Sequence, residues 1–179
     1  MPTLSDLRTK KLTKLFHVSD ADRNGFLEQA DYERYADHYS RQNGFAAGTP
    51  EQLKLHQTWL ADWDALRKAA DTDGDGRVDL EEFLAFYGNL PSLDHHTQRL
   101  THQIFSMMDR DGDGQVTRAE YLKNSIDLVG EAVASAQFAR LDRNGDGRLT
   151  RDEIAIAVHE FFVSEDPNAP GTTLLGPLD

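Results

Sequence analysis

The chain has 179 residues, 39% of them hydrophobic, and a formal net charge of −12, enough apolar material for one compact domain or two closely packed halves. The acidic balance excludes the basic footprint that nucleic-acid binding needs. The absence of cysteine excludes disulfides, thiol chemistry and palmitoylation. Pro2 stands where N-myristoylation requires glycine, and no apolar run is long enough for a signal peptide or a membrane span. A soluble, cytoplasmic protein is expected, with neither nucleic acid nor membrane among its partners.

Leu12, Leu15 and Phe16 recur at helical spacing and predict a first helix. It leads into a twelve-residue stretch, DADRNGFLEQAD, from Asp20 to Asp31, after which Tyr32 and Tyr35 open a second helix. NGFAAGTP, from Asn43 to Pro50, reads as a turn. Thr49, Pro50 and Gln52 then take the N-cap, N1 and N3 places of a capping box, so a long helix is predicted from Pro50 to Ala70 with Leu53, Leu60, Trp63 and Leu66 among its apolar positions. A second acidic stretch, DTDGDGRVDLEE, runs from Asp71 to Glu82, with Phe83, Phe86 and Tyr87 beyond it. GNLP, from Gly88 to Pro91, reads as a helix stop and a break.

Ile104, Phe105 and Met108 lead into a third stretch, DRDGDGQVTRAE, from Asp109 to Glu120, followed by Tyr121 and Leu122. Phe138 and Leu141 lead into a fourth, DRNGDGRLTRDE, from Asp142 to Glu153, followed by Ile154, Val158 and Phe161. These helical apolar residues are the candidate core. Beyond Pro170 and Gly171 the tail ends in Leu174, Leu175 and Leu178, which reads as a flexible approach carrying an apolar plug.

The four stretches share one pattern, and calcium chemistry explains it. Calcium is a hard cation that takes about six to eight oxygen ligands at roughly 2.3–2.6 Å, so short acidic side chains at alternate positions of a tight loop suit it. In the second stretch Asp71, Asp73 and Asp75 fill positions 1, 3 and 5, the carbonyl of Arg77 fills position 7, Asp79 acts through a water at position 9, and Glu82 closes the shell at position 12. Gly76 at position 6 permits the sharp turn. The third supplies Asp109, Asp111, Asp113, the carbonyl of Gln115, Thr117 and Glu120. The fourth supplies Asp142, Asn144, Asp146, the carbonyl of Arg148, Thr150 and Glu153.

The first stretch departs from the others. Asp20, Asp22, Asn24 and the carbonyl of Phe26 are in place, but position 12 holds Asp31, one methylene shorter than glutamate. The shorter arm favours lower coordination and tolerance of magnesium unless the loop contracts. A single acidic turn with glycine could be a solvated loop. Four in register, each between helical segments, argue against that. Position 8 is apolar in every stretch, as Leu27, Val78, Val116 and Leu149, and predicts short antiparallel bridges between paired loops.

The expected fold is all-α, with two pairs of helix–loop–helix units packed into one compact globule. An N-terminal pair would span residues 1–90, a C-terminal pair 91–163, and the tail 164–179 would pack on the core. Four calcium ions would bring the net charge from −12 to −4. Two carboxylates about 5 Å apart repel by roughly 3 kcal/mol at an effective dielectric near 20, so folding and metal binding should be coupled.

The whole chain resembles the four-EF-hand proteins of the sarcoplasmic calcium-binding protein and calexcitin type, and their bacterial calerythrin relatives. The shared features are the length, the long separation between the first two loops, Asp31 at position 12 of the first hand, and the apolar tail. The second hand, often degenerate in that family, carries a complete ligand set here. The resemblance implies a calcium buffer or store that is compact when loaded and does not open a groove for target helices. Only three methionines are present, whereas sensors that grip many targets use methionine-rich surfaces. The alternative is a calcium-dependent sensor or regulator that binds a protein target. An enzyme is not expected: adjacent His95 and His96, with His102, do not share one helix face, and the acidic residues are committed to metal. A monomer is the default.

Overall fold

The structure is a computed structural model that describes residues 4–88 and 93–178, the side chains of 93–96 and 128 excepted. Among the described residues there are eight α-helices and four two-residue strands. These are α1 (Asp6–Ser19), β1 (Phe26–Leu27), α2 (Gln29–Asn43), α3 (Pro50–Ala70), β2 (Val78–Asp79), α4 (Leu80–Gly88), α5 (Leu93–Met108), β3 (Val116–Thr117), α6 (Arg118–Val129), α7 (Glu131–Leu141), β4 (Arg148–Leu149) and α8 (Arg151–Val163). A 3₁₀ turn, Pro170–Thr173, follows. Most of the GNLP break lies outside the described residues.

The chain divides into two compact units, one from residue 12 to the break and one formed by residues 4–11 with the segment beyond the break. In the first unit β1 pairs antiparallel with β2, Leu27 opposite Val78. In the second β3 pairs with β4, Val116 opposite Leu149. All four of these side chains are fully buried. The predicted bridges therefore form at the predicted residues, and they couple the loops two by two.

Helix limits follow local chemistry. Gly44 ends α2 in the left-handed region, φ 72°, a conformation glycine adopts without Cβ strain. α3 spans Pro50–Ala70 as its cap predicts, with the Thr49 side chain accepting from Gln52 N. The reciprocal half of that box goes elsewhere: Gln52 Oε1 accepts from Gly48 N at 3.2 Å. Leu53, read as an apolar helix position, is 50% exposed.

In the first unit α2 packs on α3 and α3 on α4. Leu12, Phe16, Trp63, Leu66, Phe83 and Tyr87 are buried there, and Phe16 meets Phe83 edge-on at 5.5 Å. Trp59 stacks on both Tyr35 and Tyr39, with ring centroids 5.4 and 5.6 Å apart. The hydroxyl of Tyr35 donates to Val18 O, and burial pushes its pKa up to about 12.

In the second unit α5 packs on α8 and α6 on α7, around Phe105, Tyr121, Phe138, Leu141, Ile154, Val158 and Phe161. The start of α1 closes the C-terminal end of α8. Lys11, 0% exposed, donates from Nζ to Glu160 O at 3.1 Å and Ser164 O at 2.7 Å, and Arg8 Nε donates to Phe162 O. Two cationic side chains thus satisfy the last carbonyls of α8, at the negative end of its dipole.

The 3₁₀ turn lies against α7 and α8. Gly171 N donates to Glu160 Oε2 at 2.9 Å, Gln137 Nε2 donates to Thr173 O, and Arg140 reaches Thr173 Oγ1 and Asn168 O. Gly171, read from sequence as part of a flexible approach, is a close-approach position: a Cβ there would lie 2.1 Å from Ala157 O. Thr172 is buried, and Leu174, Leu175 and Leu178 are half-buried.

Candidate metal centres

Each acidic stretch folds as a loop whose side chains bind its own backbone. In the second, Asp71 accepts from Gly74 N and Gly76 N at 2.7 and 3.1 Å, Asp73 from Asp75 N, and Asp75 from Arg77 N. The third repeats the arrangement, with Asp109 accepting from Gly114 N, Asp111 from Asp113 N and Asp113 from Gln115 N. In the fourth, Asp142 accepts from Gly145, Asp146 and Gly147, Asn144 Oδ1 from Asp146 N, and Asp146 Oδ1 from Arg148 N. In the first, Asp20 accepts from Asn24 N and Gly25 N, and Asn24 from Phe26 N. Gly25, Gly76, Gly114 and Gly147, the four position-6 glycines, all have φ between 82° and 89°. That conformation strains any side chain with a Cβ.

Position 12 is held from both ends of the loop. Glu82 accepts from Thr72 N at 2.8 Å and Asp79 N at 3.1 Å, Glu120 from Arg110 N and Thr117 N, and Glu153 from Arg143 N and Thr150 N. Thr117 and Thr150 at position 9 are also the N-caps of α6 and α8, with Glu120 and Glu153 at N3. One capping box therefore starts the helix and aims the closing carboxylate. Burial acts to raise the pKa of these three glutamates, but the hydrogen bonds outweigh it and hold them below the usual range.

Asp31 reaches the same two anchor points with its shorter arm. Oδ1 accepts from Ala21 N at 3.0 Å and Oδ2 from Glu28 N at 2.9 Å. It is 1% exposed, and burial pushes its carboxyl up. Glu28 occupies position 9 and accepts from Asn24 Nδ2 at 3.1 Å, so it joins the first loop, which the sequence reading passed over. The capping box S/T-x-x-E/Q is a familiar signal, but here its ends are Glu28 and Asp31, which hides it.

The folded chain gathers three carboxylates in each of three loops: Asp20, Asp22 and Asp31; Asp71, Asp73 and Glu82; Asp109, Asp111 and Glu120. One ligand oxygen from each residue lies within 4.8 Å of the others. In the fourth loop Asn144 stands in place of the third carboxylate. Asp109 Oδ1 is buried without a hydrogen-bond partner, an expensive condition for a carboxylate. A hard divalent cation at position 1 would relieve it, so the donor set fits calcium. Among the histidines, His102 Nδ1 lies 3.0 Å from Arg151 Nη1. The side chains of His95 and His96 lie outside the described residues.

Comparison with known proteins agrees with this geometry. A family model described as an EF-hand domain pair matches residues 68–126, and one described as EF hand matches 135–156. Calerythrin of Saccharopolyspora erythraea is 31% identical over 87% of this chain and 92% of its own. A Streptomyces coelicolor calcium-binding protein is 29% identical over 87% of this chain and 97% of that one, with a TM-score of 0.66. The sarcoplasmic calcium-binding protein of amphioxus shares the fold at 21% identity, with a TM-score of 0.79 over 98% of this chain. The chain therefore belongs to the EF-hand calcium-binding proteins of the calerythrin type.

Proposed function

We propose that this protein is a monomeric cytoplasmic calcium buffer with four sites and no catalytic activity. The ligands are the side chains at positions 1, 3, 5, 9 and 12 given above and the carbonyls of Phe26, Arg77, Gln115 and Arg148. The first loop is the most magnesium-tolerant, since Asp31 offers the shorter arm. Among the described residues no helix is long and apolar enough to cross a membrane.

The observation that carries the buffer reading is the seating of the tail. A calcium sensor opens an apolar groove and receives a target helix there. Here the 3₁₀ turn at Pro170–Thr173 already lies on α7 and α8, tied to Gln137, Arg140 and Glu160. A buffer needs no partner, and an occupied surface offers none. Fluorescence of a hydrophobic dye with metal-free and then calcium-loaded protein, at constant magnesium, tests the reading. A signal that falls on loading supports the buffer, and a signal that rises overturns it.

One observation favours a second reading. The Streptomyces coelicolor relative is described as acting in prokaryotic calcium-mediated regulation. In that case calcium would release the tail, and the dye signal would rise.

A further inference from the structure

The first loop has a cation of its own. Arg34, on α2 three residues beyond Asp31, places Nη1 2.8 Å from Asp22 Oδ2 and 3.5 Å from Asp31 Oδ1. These carboxylates are the third and twelfth positions of the loop, from opposite ends of its ligand sequence. With Asp20 they are the three groups whose ligand oxygens the fold gathers within 4.8 Å.

Arginines also touch the second and third loops, but at different positions. Arg77 Nη2 lies 2.8 Å from Asp75 Oδ2, and Arg148, from the fourth loop, lies 3.2 Å from Asp113 Oδ2. Both engage a fifth-position carboxylate through Oδ2, while Oδ1 of that carboxylate accepts a backbone N–H of its own loop. Arg34 instead spans the third and twelfth positions, so its charge sits among the groups a divalent ion must collect. Its side chain is 50% exposed, leaving it a path into solvent when displaced.

We propose that Arg34 sets the calcium affinity of the first loop by acting as a tethered competitor for Asp22 and Asp31. The ion fills this loop only by displacing a monovalent cation that is always at hand. The first loop then fills at higher calcium than its ligand set alone would require, independently of the short arm of Asp31. The inference rests on the reading of the first loop as a calcium site.

The test uses the full chain and two variants, Arg34→Gln and Arg34→Lys. Gly25 N donates to Asp20 Oδ2 at 2.9 Å, so its amide resonance in a calcium titration reports this loop by itself. Arg34→Gln should raise first-loop affinity about tenfold at low ionic strength, a gain that shrinks as salt screens the charge. Arg34→Lys, which keeps the charge, should stay near the parent. In the metal-free state Arg34→Gln should lower Tm, because the carboxylates lose their counter-cation. Equal affinity in the parent and Arg34→Gln would overturn the proposal, and so would weaker binding in Arg34→Gln, which would make Arg34 a support of the loaded site. A Gly25 resonance that never responds to calcium, in any variant, would remove the first loop as a site and the proposal with it.

Discussion

Replacing Gly171 by alanine tests whether the tail is a built part of the second unit. The added Cβ would stand 2.1 Å from Ala157 O, 2.9 Å from Ala157 C and 2.7 Å from Glu160 Cβ. Two of these atoms are α8 backbone on a buried turn of the helix, which cannot yield without breaking its own hydrogen bonds. The tail must lift instead. Lifting removes the bond from Gly171 N to the Glu160 carboxylate, of the charge-assisted kind that contributes about 1.5–3 kcal/mol. It also uncovers Ala169 and Thr172, both buried in the parent. Overpacking a close contact costs typically 1–3 kcal/mol, and the two losses overlap because a lifted tail relieves the clash. A net destabilisation of about 2–4 kcal/mol is expected. Urea unfolding in saturating calcium measures it, and chymotrypsin cleavage after Leu174 or Leu175 reports whether the tail is free. A variant within about 0.5 kcal/mol of the parent and equally resistant to cleavage would refute the argument.

Deleting residues 164–179 should raise hydrophobic-dye fluorescence in the calcium-loaded state, because the α7–α8 surface loses its cover. Lys11, buried with a pKa lowered to about 8 by desolvation, gives a pH signature. Its folded value lies below the unfolded 10.5, so between the two the unfolded state binds more protons and stability rises with pH. From pH 7.5 to 9.5 the gain should be about 1–2 kcal/mol, and Lys11→Met should flatten it; a parent whose stability falls over that window would contradict the burial of the ammonium. On the proposed ligand set, where Glu120 is a charged bidentate ligand, Glu120→Gln should weaken the third site by at least about a hundredfold, and calorimetry should show one fewer high-affinity ion.

The loops were legible because metal chemistry fixes residue types at fixed intervals. The apolar position 8 marked the residues of the bridging strands, and Thr49 with Pro50 marked the start of α3. What stayed hidden depends on distant partners. A lysine in an amphipathic helix reads as solvated, and Lys11 is buried only because the C-terminal carbonyls of α8, 149 and 153 residues away in sequence, lie against it. Gly171 reads as a flexible link, since nothing in its neighbourhood announces that Ala157 approaches it. Arg34 was open to discovery: it stands three residues after Asp31 on one helix, a spacing at which opposite charges meet.

Equilibrium dialysis against saturating calcium, with magnesium at a constant millimolar level, tests the central claim most directly. Four calcium ions bound per chain is the predicted result. Three or fewer would contradict it, and the loop whose position-6 glycine resonance failed to move would identify the site that does not bind.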